Sequence, residues 1–212
     1  MTLDATAILI LALLAGLSEA SEERIEFSGG AEWSSGYLIG TRAALLVENR
    51  VQGGPIALFD SSTTRGGVWG WTGRLAVRVV AGVHVEGTVA HAEPALRLAI
   101  RSDREGAPDT TVGGGMEEWQ YTGSVRVDLI RKGQLIPFVL AGGGRIYQSD
   151  VGGTTYHAGG GFRVVVVSSP GLLKELGLRA DGRVQRRSGG LDFEDRSRRS
   201  AAVTVGAFAR FY

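Results

Sequence analysis

Strict alternation near the C-terminus constrains this chain more than any other feature. Residues 200–212 read Ser-Ala-Ala-Val-Thr-Val-Gly-Ala-Phe-Ala-Arg-Phe-Tyr. Ala201, Val203, Val205, Ala207, Ala209 and Phe211 share one parity, and Ser200, Thr204, Gly206 and Arg210 share the other. Successive side chains of a strand point to opposite faces, so this stretch is a strand with one apolar and one polar face. Few soluble folds offer such a strand a place with an aromatic residue at its tip.

The same period of two runs back through the chain. Ile25, Phe27, Gly29, Ala31 and Trp33 alternate with Glu26, Ser28, Gly30 and Glu32. Trp69, Trp71, Gly73, Leu75, Val77 and Val79 alternate with Gly70, Thr72, Arg74, Ala76 and Arg78. A two-residue turn at Ala81 and Gly82 leads to Val83, Val85, Gly87 and Val89, set against His84, Glu86 and Thr88. Beyond His91 the phase slips to Leu96, Leu98 and Ile100. Pro94 cannot donate to a ladder, so a bulge is expected there. Trp119, Tyr121, Val125, Val127 and Leu129 oppose Glu118, Gln120, Thr122, Ser124, Arg126 and Asp128. In the next strand Ile136, Phe138, Leu140 and Ile146 are read as the apolar set, against Pro137, Val139, Ala141, Arg145 and Tyr147. Tyr156, Ala158, Phe162, Val164 and Val166 oppose His157 and Arg163, and Leu176, Leu178, Ala180 and Val184 oppose Arg179, Asp181, Arg183 and Gln185.

These segments make an all-β chain with eight strands, an even number, as small membrane barrels have. Residues 102–115 are polar and Gly-rich and read as a loop, residues 170–175 as a connector, and residues 188–199 as a charged connection. Residues 36–67 read as one long extracellular loop. If residues 38–49 and 55–63 were both membrane strands the barrel would have ten; neither alternates cleanly, so eight is the expectation. Residues 7–17 are an apolar run of signal-peptide length, and Ser18-Glu19-Ala20 resembles a cleavage site. The division expected is a leader at 1–20 and a barrel at 21–212. The run is preceded by Asp4 and by no Lys or Arg, and an uncleaved buried helix is its other reading. Lys plus Arg is 23 against 22 for Asp plus Glu, a balance that gives nucleic acid no bulk charge to recognise. Cys is 0, which excludes disulfide scaffolds and thiolate metal sites.

If the first strand rises outward, Trp33, Trp69, Trp71, Trp119, Tyr121 and Tyr156 all fall at the outer membrane interface, where amphipathic rings settle. Phe27, Phe138 and Phe211 then fall at the inner one. The face carrying Arg74, Arg78, His84, Glu86, Arg126, Asp128, Arg145, Arg163, Arg179, Asp181, Arg183 and Arg210 must turn from lipid, since a midplane Arg facing lipid costs about 2–4 kcal/mol. An eight-stranded barrel is narrow enough for side chains to fill. Glu26, Arg78, His84, Glu86, Arg126, Asp128, Arg179, Asp181 and Arg210 are therefore expected to form a paired lumen network, with Glu26 meeting Arg210 across the first and last strands.

The terminal stretch resembles the C-terminal strand of bacterial outer-membrane β-barrels. The assembly machinery of that family reads a polar residue, a Gly two places on, and apolar or aromatic residues three and five places further. Thr204, Gly206, Ala209 and Phe211 occupy those places, with Tyr212 as one extra residue. Residues 137–144 and 176–181 are also similar to strands of small OmpA-, OmpX- and OmpW-type barrels. The resemblance implies a monomer in the outer membrane of a Gram-negative-type bacterium, with outer-membrane lipids, lipopolysaccharide and the assembly machinery as partners and no cofactor. It implies a structural or surface-interaction role with a side-chain-filled lumen. The alternative is an OmpW-like conduit for small molecules, hydrophobic ones included, which needs an apolar outer mouth and a lateral opening. A third reading, a lipid-modifying enzyme, lacks a Ser two residues beyond His91 or His157. His84 and Glu86 share a face at a metal-ligand spacing but lack a third ligand nearby, so an ion-pair role is expected. The runs at Gly113, Gly142 and Gly159 are not followed by the Lys-Ser/Thr of a phosphate loop. A soluble lipocalin-like barrel would put the apolar set inside. Removal of Tyr212 should leave membrane insertion intact while Phe211→Ala impairs it, as read by the folded fraction recovered in membranes.

Overall fold

In a computed structural model the described residues are 25–46, 56–101, 109–130, 133–190 and 198–211. The leader expected at 1–20 and Tyr212 lie outside them. Twelve strands follow one another: β1 (Ile25–Ser34), β2 (Tyr37–Leu46), β3 (Ile56–Arg65), β4 (Val68–Val80), β5 (Val83–Ala92), β6 (Ala95–Arg101), β7 (Thr110–Gly115), β8 (Glu118–Asp128), β9 (Leu135–Gln148), β10 (Val151–Ser168), β11 (Leu173–Gly189) and β12 (Arg198–Phe211). Eight close into an antiparallel barrel in the order β1-β12-β11-β10-β9-β8-β5-β4. Closure leaves this ring no free edge, so every strand within the bilayer has its backbone groups paired.

The stagger of the ring follows from its register. Stepping between cross-strand partners leads from Arg199 through Arg186, Tyr156, Gly143, Gly123, Gly87, Leu75 and Phe27 to Ala209, on the starting strand. The offset from 199 to 209 is ten residues over eight strands. At ~3.3 Å per residue and ~4.8 Å per strand this tilts the strands by about 40°. A residue step then changes height by about 2.5 Å and a strand step by about 3 Å. On that scale Trp33, Trp69, Trp71, Trp119, Tyr121 and Tyr156 fall in one band less than about 10 Å tall. Phe211 lies roughly 25 Å below it, the height of an outer-membrane apolar belt. Between them Leu75, Val125, Val139, Phe162, Leu178 and Val205 are exposed on the outside. The inward parity carries Glu26, Arg74, Glu86, Arg126, Arg163, Arg179 and Asp181, all buried.

Three expectations need correction. First, the stretch 36–67 is not a plain loop, since it holds β2 and β3; residues 47–55 are outside the described set. With β6 and with β7, which falls inside the other expected loop, they form a four-stranded sheet in the order β2-β3-β6-β7. Each is the outward continuation of a barrel strand across a two-residue break, so the ring keeps eight members. At the third break Pro94 is buried and ends the ladder rather than bulging it. Gly66 N–H donates to Ala95 O at 2.8 Å and Met116 N–H to Pro94 O at 3.1 Å, which joins the strands at the breaks.

Second, β9 has the opposite parity. Ile136, Phe138, Leu140 and Ile146 are buried inside, while Val139, Arg145 and Tyr147 are exposed outside. Both faces of this strand are largely apolar, so alternation alone could not choose between them. Phe138 goes inward because guanidinium groups lie over its ring, Arg126 at 5.6 Å and Arg179 at 4.9 Å. Third, β11 begins at Leu173, inside the connector expected at 170–175, and Arg198 and Arg199 belong to β12 rather than to the charged connection.

The seam between β1 and β12 depends on glycine. A Cβ on Gly206 would lie 2.1 Å from the Gly29 carbonyl oxygen and 2.7 Å from Gly30 Cα. On β11, Gly182 meets nothing within 4 Å. Gly206→Ala should therefore cut the yield of folded barrel in detergent with no assembly machinery present, and Gly182→Ala should not. Heat-modifiable gel migration measures both.

Candidate functional site

The lumen holds the residues with chemistry, so the candidate site is the barrel interior and its outer mouth. Among the described residues six buried carboxylates (Glu26, Glu32, Glu86, Glu118, Asp128, Asp181) face eight buried arginines (Arg65, Arg74, Arg126, Arg163, Arg179, Arg183, Arg187, Arg210). They sort into three levels.

At the inner level Glu26 is the hub. Arg126 grips it with two hydrogen bonds, 2.6 and 3.0 Å, and Arg163 donates to the same carboxylate. Arg163 also donates to Asp128 at 2.6 Å. Arg210 comes from the last strand to within 3.4 Å of Glu26, and Phe27 meets Phe211 edge-on beside them at 5.9 Å, so polar and apolar contacts close the seam on opposite faces. His84 lies 3.7 Å from Asp128, and Arg78 is only partly buried. At the middle level Arg179 holds both oxygens of Glu86, at 2.6 and 3.1 Å. Asp181 takes Arg74 and Arg183, each at 2.8 Å, and Arg183 reaches Glu32 at 3.2 Å. Thr204 accepts from Arg74 at 2.8 Å and donates to Glu32 at 3.1 Å. A residue read as part of an assembly signal thus also ties β12 to the lumen network. Gly206 sits at the close approach of the seam, and Ala209 and Phe211 face outward. His84 and Glu86 share a face but go to different partners, and the described residues contain no metal-holding cluster.

The outer level escaped the sequence reading. Arg65, at the tip of β3, turns back over the mouth and is fully buried. It holds both oxygens of Glu118, at 3.0 and 2.9 Å, and donates to Ser34 Oγ at 3.0 Å. Arg187 takes the same carboxylate from the other side, at 3.0 and 3.1 Å. Gln148 donates to Glu118 and to the Tyr37 hydroxyl, both at 3.0 Å. The Tyr37 ring is stacked at 5.6 Å by both guanidinium groups. Arg65 and Tyr37 lie where no alternation was legible, and no motif marks them. Below this cap, a cavity of about 20 Å³ among Glu32, Ser34, Gln120 and Arg187 has room for a water molecule and not for a solute.

Two histidines bear on catalysis. Ser124 Oγ lies 3.0 Å from His157 Nε2, a pair absent from the sequence reading because its members are 33 residues apart. Both are buried in the lumen, and the ring's other nitrogen, His157 Nδ1, has no hydrogen-bond partner among the described residues, so the pair lacks the third group of a triad and an approach for substrate. His91 is outside the barrel, its ring tilted against that of Trp119 at 4.5 Å between centroids and 3.4 Å from Glu117. The six predicted interface aromatics are all on the outer surface, with Trp71, Trp119, Tyr121 and Tyr147 in a continuous chain of ring contacts.

No protein-family model matches the chain, and no curated protein is significantly similar to it. Among solved structures it is similar to the crystal structure of the outer membrane protein OprG from Pseudomonas aeruginosa. The TM-score is 0.54 at 8% identity, covering 90% of this chain and 96% of that one. A solid-state NMR structure of the outer membrane protein AlkL in DMPC lipid bilayers is matched at a TM-score of 0.45 and 17% identity, over 92% and 93% of the two chains. The fold is that of a small outer-membrane barrel, and the apolar belt on its closed ring places the chain in an outer membrane.

Breaking one partner out of a buried ion pair leaves the other charge uncompensated, at about 3–5 kcal/mol. Glu26→Ala removes the carboxylate that Arg126, Arg163 and Arg210 share and leaves them to Glu86, Asp128 and Glu175, so it should destabilise the folded barrel by about that much. Urea titration of the heat-modifiable form reads the loss. Glu117→Ala, whose side chain is 59% exposed, should change it by less than about 1 kcal/mol.

Proposed function

We propose that this outer-membrane barrel is a closed membrane anchor that acts through its surface, presenting the sheet β2-β3-β6-β7 above the bilayer. The observation that carries the reading is the outer cap, where Arg65, Glu118, Arg187, Gln148 and Tyr37 occupy the mouth with bidentate and stacked contacts. Two more charged levels lie beneath it, so a solute would have to displace three sets of buried ion pairs in turn. Such pairs are held in a low dielectric where separation is costly.

A conduit for hydrophobic molecules calls for an apolar mouth and a gap in the wall. The mouth here is charged. The breaks between barrel and outer sheet are bridged by backbone hydrogen bonds, including Ser35 N–H to Ala201 O at 2.8 Å and Ser149 N–H to Glu117 O at 2.9 Å. Among the described residues an enzymatic reading has the enclosed Ser124–His157 pair to draw on. A closed anchor suits a protein whose working surface is outside the membrane, on elements the barrel holds at fixed spacing.

In planar lipid bilayers the purified protein should insert without stepwise conductance at neutral pH, and liposomes carrying it should take up an alkane probe no faster than empty ones. Defined conductance steps, or accelerated uptake abolished by added bulk at the mouth, would sink the closed-anchor reading.

A further inference from the structure

Two adjacent arginine pairs meet where β11 and β12 leave the bilayer. Arg186 is the cross-strand partner of Arg199, and Arg187 that of Arg198. The inward members are engaged, Arg187 by Glu118 and Arg198 by the Ile39 carbonyl oxygen at 2.5 Å. The outward members, Arg186 and Arg199, are exposed and make no ion pair among the described residues. Like charges directly opposite on one face of a sheet repel, and nothing described on this face offsets the repulsion.

Their height makes the pair chemically specific. By register and tilt Arg186 and Arg199 lie at the upper edge of the aromatic band, within about 10 Å of Tyr156, which is the cross-strand partner of Arg186. Arg145, one strand beyond, is also exposed and outward, its guanidinium 3.4 Å from the Thr154 hydroxyl. Three arginines thus bracket the exposed ring of Tyr156 at the level where headgroups sit. Directly below are Val184, Val203 and Val205, exposed to acyl chains at 63%, 45% and 57%.

We infer that Arg186 and Arg199, flanked by Arg145, form a binding site for the phosphate groups of a lipid in the outer leaflet, whose acyl chains lie over the valine surface beneath. A phosphate accepts bidentate hydrogen bonds from guanidinium groups and turns a repulsive pair into a bridged one. A free anion would gain only the upper half of this surface, whereas a bisphosphorylated glycolipid gains both halves. The site is independent of whether the lumen is closed, so it goes beyond the function proposed above and can fail alone.

The test compares thermal unfolding of the full-length barrel in nanodiscs of phosphatidylcholine with and without bisphosphorylated lipid A, with dephosphorylated lipid A of the same chains, and with inorganic phosphate. A ligand that binds only the folded state raises its unfolding temperature. Wild type should gain several degrees with bisphosphorylated lipid A and little with the other two additives. The Arg186→Gln/Arg199→Gln barrel should fold normally, melt no lower than wild type in neutral lipid, and lose most of that gain. Arg97→Gln/Arg101→Gln, on the exposed outer sheet, should keep it. Equal stabilisation by the dephosphorylated lipid, full stabilisation by inorganic phosphate alone, or an unchanged gain in the Arg186/Arg199 variant would each overturn the assignment.

Discussion

Pairing of buried charge is the constraint on which this barrel rests. A ring of eight strands tilted by about 40° leaves an interior that side chains must fill. This chain fills it with arginines and carboxylates from seven of its eight barrel strands and from β3. An uncompensated charge there would cost several kcal/mol, so the register of each charge-bearing strand is set by where its partners sit across the lumen. Glu26 shows the principle: its partners come from β8, β10 and β12, and sliding any one of those strands by a residue would withdraw its arginine from the hub.

The two faces divide the labour. Outside, apolar side chains are satisfied by lipid without geometric precision, and the wall there tolerates Gly182 beside Val203 with nothing above it. Inside, orientation matters, and planar guanidinium groups supply it by bridging carboxylates and stacking on Phe138, Phe208 and Tyr37. Aromatic residues thus serve two purposes in one chain: a belt that fixes depth in the membrane, and stacking surfaces inside that hold the arginines in place.

Legibility in the sequence followed this division. Strands with a charged face and an apolar face, such as β11 and β12, declare their orientation by alternation alone. β9 does not, since Phe138 and Leu140 alternate with Val139 and Ala141 and the decisive fact is the position of Arg126 and Arg179 on other strands. The sheet β2-β3-β6-β7 was illegible for a different reason: above the bilayer neither face need be apolar, and β7 is exposed along its whole length. The seam partners Glu26 and Arg210 could be named because ring closure makes the first and last strands neighbours. Arg65 could not, since nothing local to Thr64 or Gly66 says that its side chain will fold back over the mouth to Glu118.

The seam also carries a consequence for time. Glu26 and Arg210 are 184 residues apart in the chain, and the same strands supply Phe27 with Phe211 and Gly30 with Gly206. Contacts of such long separation form late, because the loop entropy must be overcome before they reward it. Until β12 has been synthesised and delivered, β1 has an open edge and Glu26 lacks its arginine from that strand. A barrel closed by its two ends cannot mature as it emerges from the ribosome, and its chain must reach the membrane still uncommitted.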